Sequence, residues 1–308
     1  MRTGGLTMEK SIRAADTGKP KRRRLHYSKA GHANRSLGGN LCMGLFLALM
    51  AVFMLFPLIY TVCNAFKPLS ELFLFPPRFF VRNPTLQNFI DLGNLAASSW
   101  VPFSRYLFNT VFITAAGTAG HIVVSAHAAY ALANNKFAGS RFIFKLIVLS
   151  LMFSAAVTAV PSYLILTRFG WIDSYLAVIV PAFSGSLGLY LLKQFMEGVH
   201  PSLLESARMD GAGEVRVLWQ IVMPIVRPAW LTLMILMVQN LWNTNSTYIF
   251  SEQLKPLTSA LNQIVAGGIA RAGTAGAASL IMMIVPIGVF VITQSNVIET
   301  MGTSGMKD

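Results

Sequence analysis

Hydrophobic residues fall into long, nearly uninterrupted runs along this chain, and polar residues are collected in the segments between them. Runs of close to 20 apolar residues can cross about 30 Å of hydrocarbon as a helix. Six such runs are predicted, at residues 40–62, 105–133, 142–167, 176–196, 228–250 and 278–298. A bilayer interior offers no partner for free backbone groups, and no strand-like alternation is present. The pattern therefore predicts an all-α, polytopic membrane protein with six transmembrane helices.

Composition and charge agree with a membrane location and set the orientation. Charged residues make up 12% of the chain, against about 25% in soluble domains. The formal net charge is +13, and most of the excess lies in residues 1–39. This basic tail is predicted to be largely disordered and cytoplasmic, contacting membrane lipid rather than nucleic acid. Six crossings then return the tail at residues 300–308 to the cytoplasm.

The polar segment 197–227, between the fourth and fifth runs, predicts a short helix followed by a turn. Ser202 is expected to cap the helix, with Glu205 three residues on reaching back in a capping box. Gly211 suits the left-handed residue that ends a helix. Leu203, Leu204 and Ala207 are expected on one face, with Glu205, Arg208 and Asp210 elsewhere. Taken by itself, the segment fits an interfacial connector between two spans equally well.

The spacing within this segment carries a resemblance. Glu205-Ser206-Ala207, Gly211, Ile221 and Met223-Pro224 stand at the intervals of the signature loop of permease subunits of bacterial ATP-binding-cassette (ABC) importers. Ser206 replaces an alanine and Met223 a leucine of that pattern. The resemblance implies that this loop faces the cytoplasm and binds a separate ATPase. The residues it assigns to ATPase coupling are Glu205, Ser206, Ala207, Arg208, Asp210 and Gly211.

Other stretches are similar to sugar permeases of the maltose-transporter type, in particular to the six-helix subunit of each pair and to its complex-oligosaccharide branch. They include Asn64-Ala65-Phe66-Lys67-Pro68, Gly170-Trp171-Ile172-Asp173-Ser174 and Asn296-Val297-Ile298-Glu299-Thr300-Met301. The resemblance implies a type I ABC importer permease fold over residues 40–299, in a bacterial inner membrane. It also implies three kinds of partner: a second permease subunit, two ATP-binding subunits and an extracytoplasmic sugar-binding protein.

The chain is expected to be neither an enzyme nor a cofactor-binding protein. It lacks a Gly-x-x-x-x-Gly-Lys-Ser/Thr phosphate loop, so ATP and Mg²⁺ are expected on the partner ATPase. It also lacks His-Glu-x-x-His and Cys-x-x-Cys metal motifs. We therefore expect no catalytic residue and no metal site in this subunit.

Polar residues in the fifth run are candidates for the solute passage. Amides and an indole suit sugar hydroxyls and ring faces, and this run carries Gln239, Asn240, Trp242 and Asn243. The alternative is that these side chains join helices to one another.

Two other functions remain open from the residues: a permease for another solute, and a secondary transporter. The predicted spans contain histidines, His121 and His127, but no Asp or Glu to form a proton relay with them. The absence of midplane carboxylates weighs against a proton- or sodium-coupled carrier.

Overall fold

The computed structural model describes residues 37–97, 100–135, 137–266, 268 and 271–304. All regular secondary structure in these residues is helical, which confirms the all-α prediction. Most of the predicted basic tail (residues 1–36) and the end of the C-terminal tail (residues 305–308) lie outside the described residues. The chain divides into two compact units, Met1–Met54 and Leu55–Asp308. The described part of the first unit is the beginning of helix α1, and the second contains all the other helices.

The helices follow the hydrophobic runs and the short amphipathic segments between them. Their bounds are α1 Leu37–Phe66, α2 Leu69–Leu72, α3 Gln87–Ala97, α4 Phe103–Asn134, α5 Ser140–Ser150, α6 Ala155–Arg168, α7 Leu176–Phe183, α8 Ser186–Glu197, α9 Pro201–Met209, α10 Glu214–Val217, α11 Met223–Ile225, α12 Arg227–Trp242, α13 Leu257–Val265 and α14 Ala272–Ser304. A π-helical turn, Leu218–Val222, joins α10 to α11, and a 3₁₀ turn, Glu252–Leu254, precedes α13.

Four helical stretches of the described residues are long and apolar enough to cross a bilayer. They are Gly38–Phe66, Phe103–Asn134, Leu176–Glu197 and Ala272–Gln294, and they coincide with four of the six predicted runs. A fifth candidate is the pair Glu214–Ile225 and Arg227–Trp242, which is bent by 84° at the break between its halves. The described residues therefore hold four or five apolar candidate spans.

The other two predicted runs differ from the structure. Residues 142–167 are not one helix, because α5 ends at Ser150 and α6 begins at Ala155. Leu151, Met152 and Phe153 in this break are apolar, so hydropathy gave no sign of it. The fifth run ends at Trp242 instead of residue 250. Just beyond it, the Asn243 and Thr244 side chains donate to carbonyls four residues back, a competition with the backbone that favours helix ends.

Helix α4 lies at the centre of the bundle and packs against α7, α8 and α12. A stripe of polar side chains along it is buried, which explains why this run is less hydrophobic than the others. The stripe consists of Asn109, Thr110, Thr114, Thr118, His121 and Ser125. His121 Nδ1 lies 2.8 Å from the Ala182 carbonyl oxygen, and His127 Nδ1 lies 2.8 Å from that of Val123. His121 thus joins α4 to α7, whereas the contact of His127 stays within its own helix.

At one end of the bundle, the loops after α6 and after α12 are joined by hydrogen bonds. The Asp173 carboxylate accepts from the backbone N–H groups of Phe250 and Ser251, at 2.9 and 2.8 Å. It also accepts from the Ser251 hydroxyl, and these hydrogen bonds hold the pKa of Asp173 below its usual value. Asn109 Nδ2 donates to the carbonyls of Gln253 and Lys255, each at 2.9 Å. These loops therefore form one tethered surface.

The connection between α1 and α3 is held by buried polar side chains. Lys67 Nζ donates to the Arg78 carbonyl at 2.5 Å, and Glu71 accepts from the backbone N–H groups of Arg82 and Asn83 at 2.9 and 3.4 Å. Asn88 Nδ2 bridges back to the carbonyls of Ala65 and Lys67, at 2.9 and 2.7 Å. The Lys67, Glu71 and Asn88 side chains are all buried. These bonds make the connection an ordered loop.

Glu71→Ala is expected to loosen this loop. The substitution leaves two backbone donors beside a buried position without an acceptor, at a cost of about 1–3 kcal/mol. Limited proteolysis between residues 72 and 86 should become faster, because the loop opens more often. Asp91→Asn, which keeps an acceptor for the Gln87 side chain 2.8 Å away, serves as control and should be cleaved like the unaltered protein. Equal cleavage rates for Glu71→Ala and Asp91→Asn would contradict this role.

Candidate functional site

The candidate site is built on α9, a short helix at the opposite end of the bundle from the Asp173 loop. It begins at Pro201, and its N-cap is His200, whose Nδ1 accepts from the Ser202 N–H at 3.4 Å. The predicted capping box is therefore wrong, because Ser202 and Glu205 lie two positions too far into the helix. Proline at the first helical position has a preset φ and no N–H to satisfy, so the helix starts two residues earlier than expected.

The end of α9 is a glycine-dependent turn, as predicted. Gly211 has φ +80°, in the left-handed region that favours glycine. The Ala212 N–H donates to the Ala207 carbonyl and the Gly211 N–H to that of Arg208, both at 3.0 Å. This is the 6→1 and 5→2 pair of a Schellman motif, which satisfies carbonyls that the helix end leaves free. The turn reverses the chain into α10.

The two faces of α9 have different surroundings. Leu204 and Ala207 are buried, in a cluster with residues of α4, α8, α10 and α12. Leu203 is 49% exposed, so its predicted place on the packed face is wrong. The outward face carries Glu205, Ser206 and Asp210, all exposed, together with Met209, which is 88% exposed. The helix thus presents acidic, hydroxyl and apolar groups away from the bundle.

Arg208, a predicted site residue, pairs within the chain. Its Nε and Nη2 donate to Oε1 and Oε2 of Glu214 at 2.9 and 3.1 Å, a two-pronged contact across the Gly211 turn. This hydrogen bond with Glu214 raises the pKa of Arg208. The Tyr130 hydroxyl, from the end of α4, donates to Glu214 Oε2 at 2.6 Å. Sequence reasoning missed Glu214 and Tyr130, and the only local signal was a carboxylate six residues after an arginine.

The segment after α10 forms an elbow into α12. The π-helical turn Leu218–Val222 and Pro224 precede the sharp bend, and Val226 has non-helical φ and ψ of −88° and 24°. Trp230 Nε1 donates to the Met223 carbonyl at 3.1 Å, so an indole from α12 braces the bend. The elbow fixes the direction in which α12 leaves the α9 end.

The four passage candidates at the end of α12 separate into two groups. Trp242 is 3% exposed, and its Nε1 donates to the Met282 carbonyl of α14 at 3.0 Å. Trp242 thus joins two helices and is not placed to line a passage. Gln239, Asn240 and Asn243 are exposed. Asn240 borders a cleft of about 660 Å³ between α4, α7, α8 and α12, and Asn243 borders one of about 510 Å³ beside α13 and α14.

The larger cleft has a mixed lining. Its polar groups come from the α5–α6 break, the α7–α8 break and the segment after α12, and they include Ser150, Ser186, Thr244 and Tyr248. Two of these hydroxyls, Ser150 Oγ and Ser186 Oγ, lie 2.5 Å apart. The hydroxyl-bearing residues that border the cleft thus lie at or near the ends of helices. No group of three or more His, Cys, Asp or Glu side chains that could hold a metal ion occurs in the part of the chain that the structure describes.

Comparison with known proteins places this architecture in a family. Residues 122–300 match the profile described as "Binding-protein-dependent transport system inner membrane component". Protein LplC of Bacillus subtilis (strain 168) is 28% identical over 248 residues, covering 78% of each chain. The polygalacturonan/rhamnogalacturonan transport system permease protein YtcP of the same strain is 29% identical over 223 residues, covering 71% of this chain and 76% of YtcP.

A solved structure shares the fold. The crystal structure of a bacterial ABC transporter involved in the import of the acidic polysaccharide alginate contains a chain that aligns with a TM-score of 0.70 at 21% identity. The alignment covers 83% of this chain and 95% of that one. The family profile spans more than half of the sequence and includes α9, the Gly211 turn and the elbow. The chain belongs to the family of inner-membrane components of binding-protein-dependent transport systems.

Proposed function

We propose that this chain is the permease subunit of a binding-protein-dependent ABC importer that carries an oligosaccharide across the bacterial inner membrane. Transport proceeds by alternating access and is driven by ATP hydrolysis in a separate subunit. One observation carries the proposal: α9, a short helix anchored by Leu204 and Ala207, exposes Glu205 and Met209 at one end of a membrane bundle. Family membership supports transport, and the polysaccharides in the name of YtcP support a polysaccharide-derived solute.

Six spans follow if, besides the stretch Leu176–Glu197 that holds α7 and α8, two further interrupted helices each cross the membrane. α5 with α6 forms the third span, and the bent pair ending in α12 forms the fifth. The tethered loops support this arrangement, because the Asp173 and Ser251 loops both fall on the outer side. Tyr130 and Glu214, which also touch, both fall on the inner side. With a basic N-terminal tail retained inside, both termini and α9 lie in the cytoplasm.

The partners divide the work. Two ATP-binding subunits bind at the cytoplasmic end of the bundle. Each has a surface groove that receives an amphipathic helix of a permease subunit, which in this chain is α9. A second permease subunit completes the passage, and an extracytoplasmic sugar-binding protein delivers the solute to the Asp173 end. ATP and Mg²⁺ act in the ATPase, whose closure must favour one orientation of the bundle in order to drive transport. In this subunit, the exposed amides Asn240 and Asn243 contact the solute, while Trp242 holds α12 against α14.

A cysteine scan of α9 tests the coupling role. Met209→Cys is expected to cross-link to the ATPase in the assembled importer, with a yield that changes on ATP binding, because residue 209 is exposed. Ala207→Cys is the matched control and should give little product, since Ala207 is 8% exposed and faces the core. Cys42 and Cys63 are replaced by serine in both variants. Absence of any ATPase adduct from residue 209 in a folded, assembled complex would contradict the proposal.

The solute class is tested separately, by uptake into proteoliposomes that contain the complete importer. We expect ATP-dependent uptake of a labelled oligosaccharide in the presence of the binding protein, and no competition by amino acids. Competition by amino acids but not by sugars would replace the carbohydrate assignment with another solute while leaving the ABC permease assignment in place.

A further inference from the structure

The contact of Glu214 with both Arg208 and Tyr130 links two parts of the chain that are far apart in sequence. Arg208 belongs to α9, Glu214 begins α10, and Tyr130 lies near the inner end of the spanning helix α4. The carboxylate holds the guanidinium at 2.9 and 3.1 Å and the phenol at 2.6 Å. One residue therefore connects the exposed helix directly to the centre of the bundle.

We propose that Glu214 and Tyr130 form a strut that transmits the movement of α9 to α4, making them positioning residues for the coupling of ATP hydrolysis to transport. The inference rests on the function proposed above. It adds a route through α4 to the covalent route through the elbow into α12.

The geometry of the contact suits a rigid link. A two-pronged arginine–carboxylate pair fixes both separation and orientation, and a hydrogen bond from a hydroxyl to a carboxylate is short and strong. Tyr130 is 5% exposed, so the phenol ring itself is held by its surroundings. The backbone hydrogen bonds of the Gly211 turn hold the end of α9, and the ion pair adds a side-chain bond across the same turn.

Stability alone does not account for the arrangement. The Arg208 and Glu214 side chains are 39% and 54% exposed, and ion pairs with such access to water contribute little to folding. Their effect is instead to keep Glu214 at the inner end of α4, where the buried hydroxyl meets it.

Helix α4 is well placed to receive a displacement. It packs against α7, α8 and α12, so a shift of its inner end reaches three other helices through direct contact. The elbow route, in contrast, passes through a π-helical turn, Pro224 and a bend of 84°. Because of this bend, a displacement along the axis of α10 does not continue along the axis of α12.

The strut is tested by following movement at two labelled positions in the complete importer, in which the native cysteines of this chain have been replaced. A fluorophore on Met209→Cys follows α9, and one on Leu107→Cys, exposed near the outer end of α4, follows that helix. These positions lie at opposite ends of the bundle, since residues 107 and 130 are roughly 35 Å apart along α4. Both signals are expected to change on ATP binding in the otherwise unaltered protein.

Glu214→Gln and Tyr130→Phe are then introduced separately. The Met209 response should persist, while the Leu107 response and solute uptake each fall about tenfold, because α9 still docks but then pushes on α4 only through the apolar contacts of Leu204 and Ala207. Tyr190→Phe is the matched control: it removes a phenol hydroxyl from α8 for which the described residues show no hydrogen bond. It should leave both signals and uptake unchanged.

Other outcomes are equally decisive. A normal Leu107 response in both variants would overturn the strut. Loss of both responses would also overturn it, since the contact would then serve only to shape the α9 loop. If the Met209 signal fails to respond to ATP before either substitution is made, the proposed function fails and not merely the strut. The charge exchange Arg208→Glu with Glu214→Arg is a further check, and restoring part of the Leu107 response would support the ion pair.

Discussion

Gly211→Val is expected to abolish ATP-driven uptake while the subunit still enters the membrane. Gly211 has φ +80°, and a β-branched residue in this region costs about 2 kcal/mol or more. A cost of that size lowers the population of the native turn about 30-fold. The turn sets the position of Arg208 relative to Glu214 and of α9 relative to the bundle. Uptake into proteoliposomes measures the loss of transport, and the amount of protein in the membrane measures whether insertion is retained.

Gly213→Val is the matched control for this substitution. Gly213 lies two residues further on, has φ −70°, and has open space where a Cβ would stand. It should retain most of the uptake. Gly211→Asn should fall between the two, because asparagine tolerates the left-handed region better than other side chains. If Gly211→Val and Gly213→Val transport equally well, the turn conformation has no part in coupling.

Gly188→Val is expected to destabilise the folded bundle. A Cβ at residue 188 would stand 2.1 Å from His121 Nε2 and 2.9 Å from the Leu233 methyl groups. Both neighbours are buried, and His121 is held by its contact with the Ala182 carbonyl. Forcing a side chain into a packed interior costs about 1–3 kcal/mol, and here α4, α8 and α12 must all separate. Thermal unfolding in detergent should show a lowered midpoint and reduced yield.

The control for this effect is Gly93→Val on α3, where nothing lies within 4 Å of the added Cβ. Both substitutions replace a glycine within a helix by valine, so their effects on the helix backbone are similar. The difference between their unfolding midpoints therefore measures the effect of packing. The smaller change Gly188→Ala should be partly rescued by His121→Ala, which removes the ring that the methyl group meets. An unchanged unfolding midpoint for Gly188→Val would show that α4 and α8 can separate enough to admit a side chain at no cost.

Whether the contacts around α9 could be predicted depended on how local they were. The Gly211 turn was predictable because it is a property of a few consecutive residues and a single backbone angle. The N-cap was mispredicted by two positions, since Ser202 and Glu205 fit a capping box that Pro201 pre-empts by starting the helix at itself. Leu203 was misplaced because a nine-residue helix has room for only one buried stripe, and Leu204 and Ala207 occupy it.

The passage candidates show the same limit in another way. Gln239, Asn240, Trp242 and Asn243 are near neighbours in sequence, and periodicity could not tell which faces α14. The structure buries the indole and leaves the amides exposed, because Trp242 finds its acceptor in the Met282 carbonyl, 40 residues away. The division between helix packing and an exposed surface therefore follows from how α12 meets α14.

The sequence by itself determined that this protein is an all-helical membrane protein with a short capped helix and a glycine turn between two late spans. Hydropathy, turn chemistry and residue spacing are local quantities, so they can be derived before any fold is known. Only the tertiary structure decided that α5 and α6 are separate, that Trp242 is buried and that Glu214 joins Arg208 to Tyr130. The last two depend on groups 40 and 84 residues apart in the chain being brought together by the fold, which no local pattern encodes.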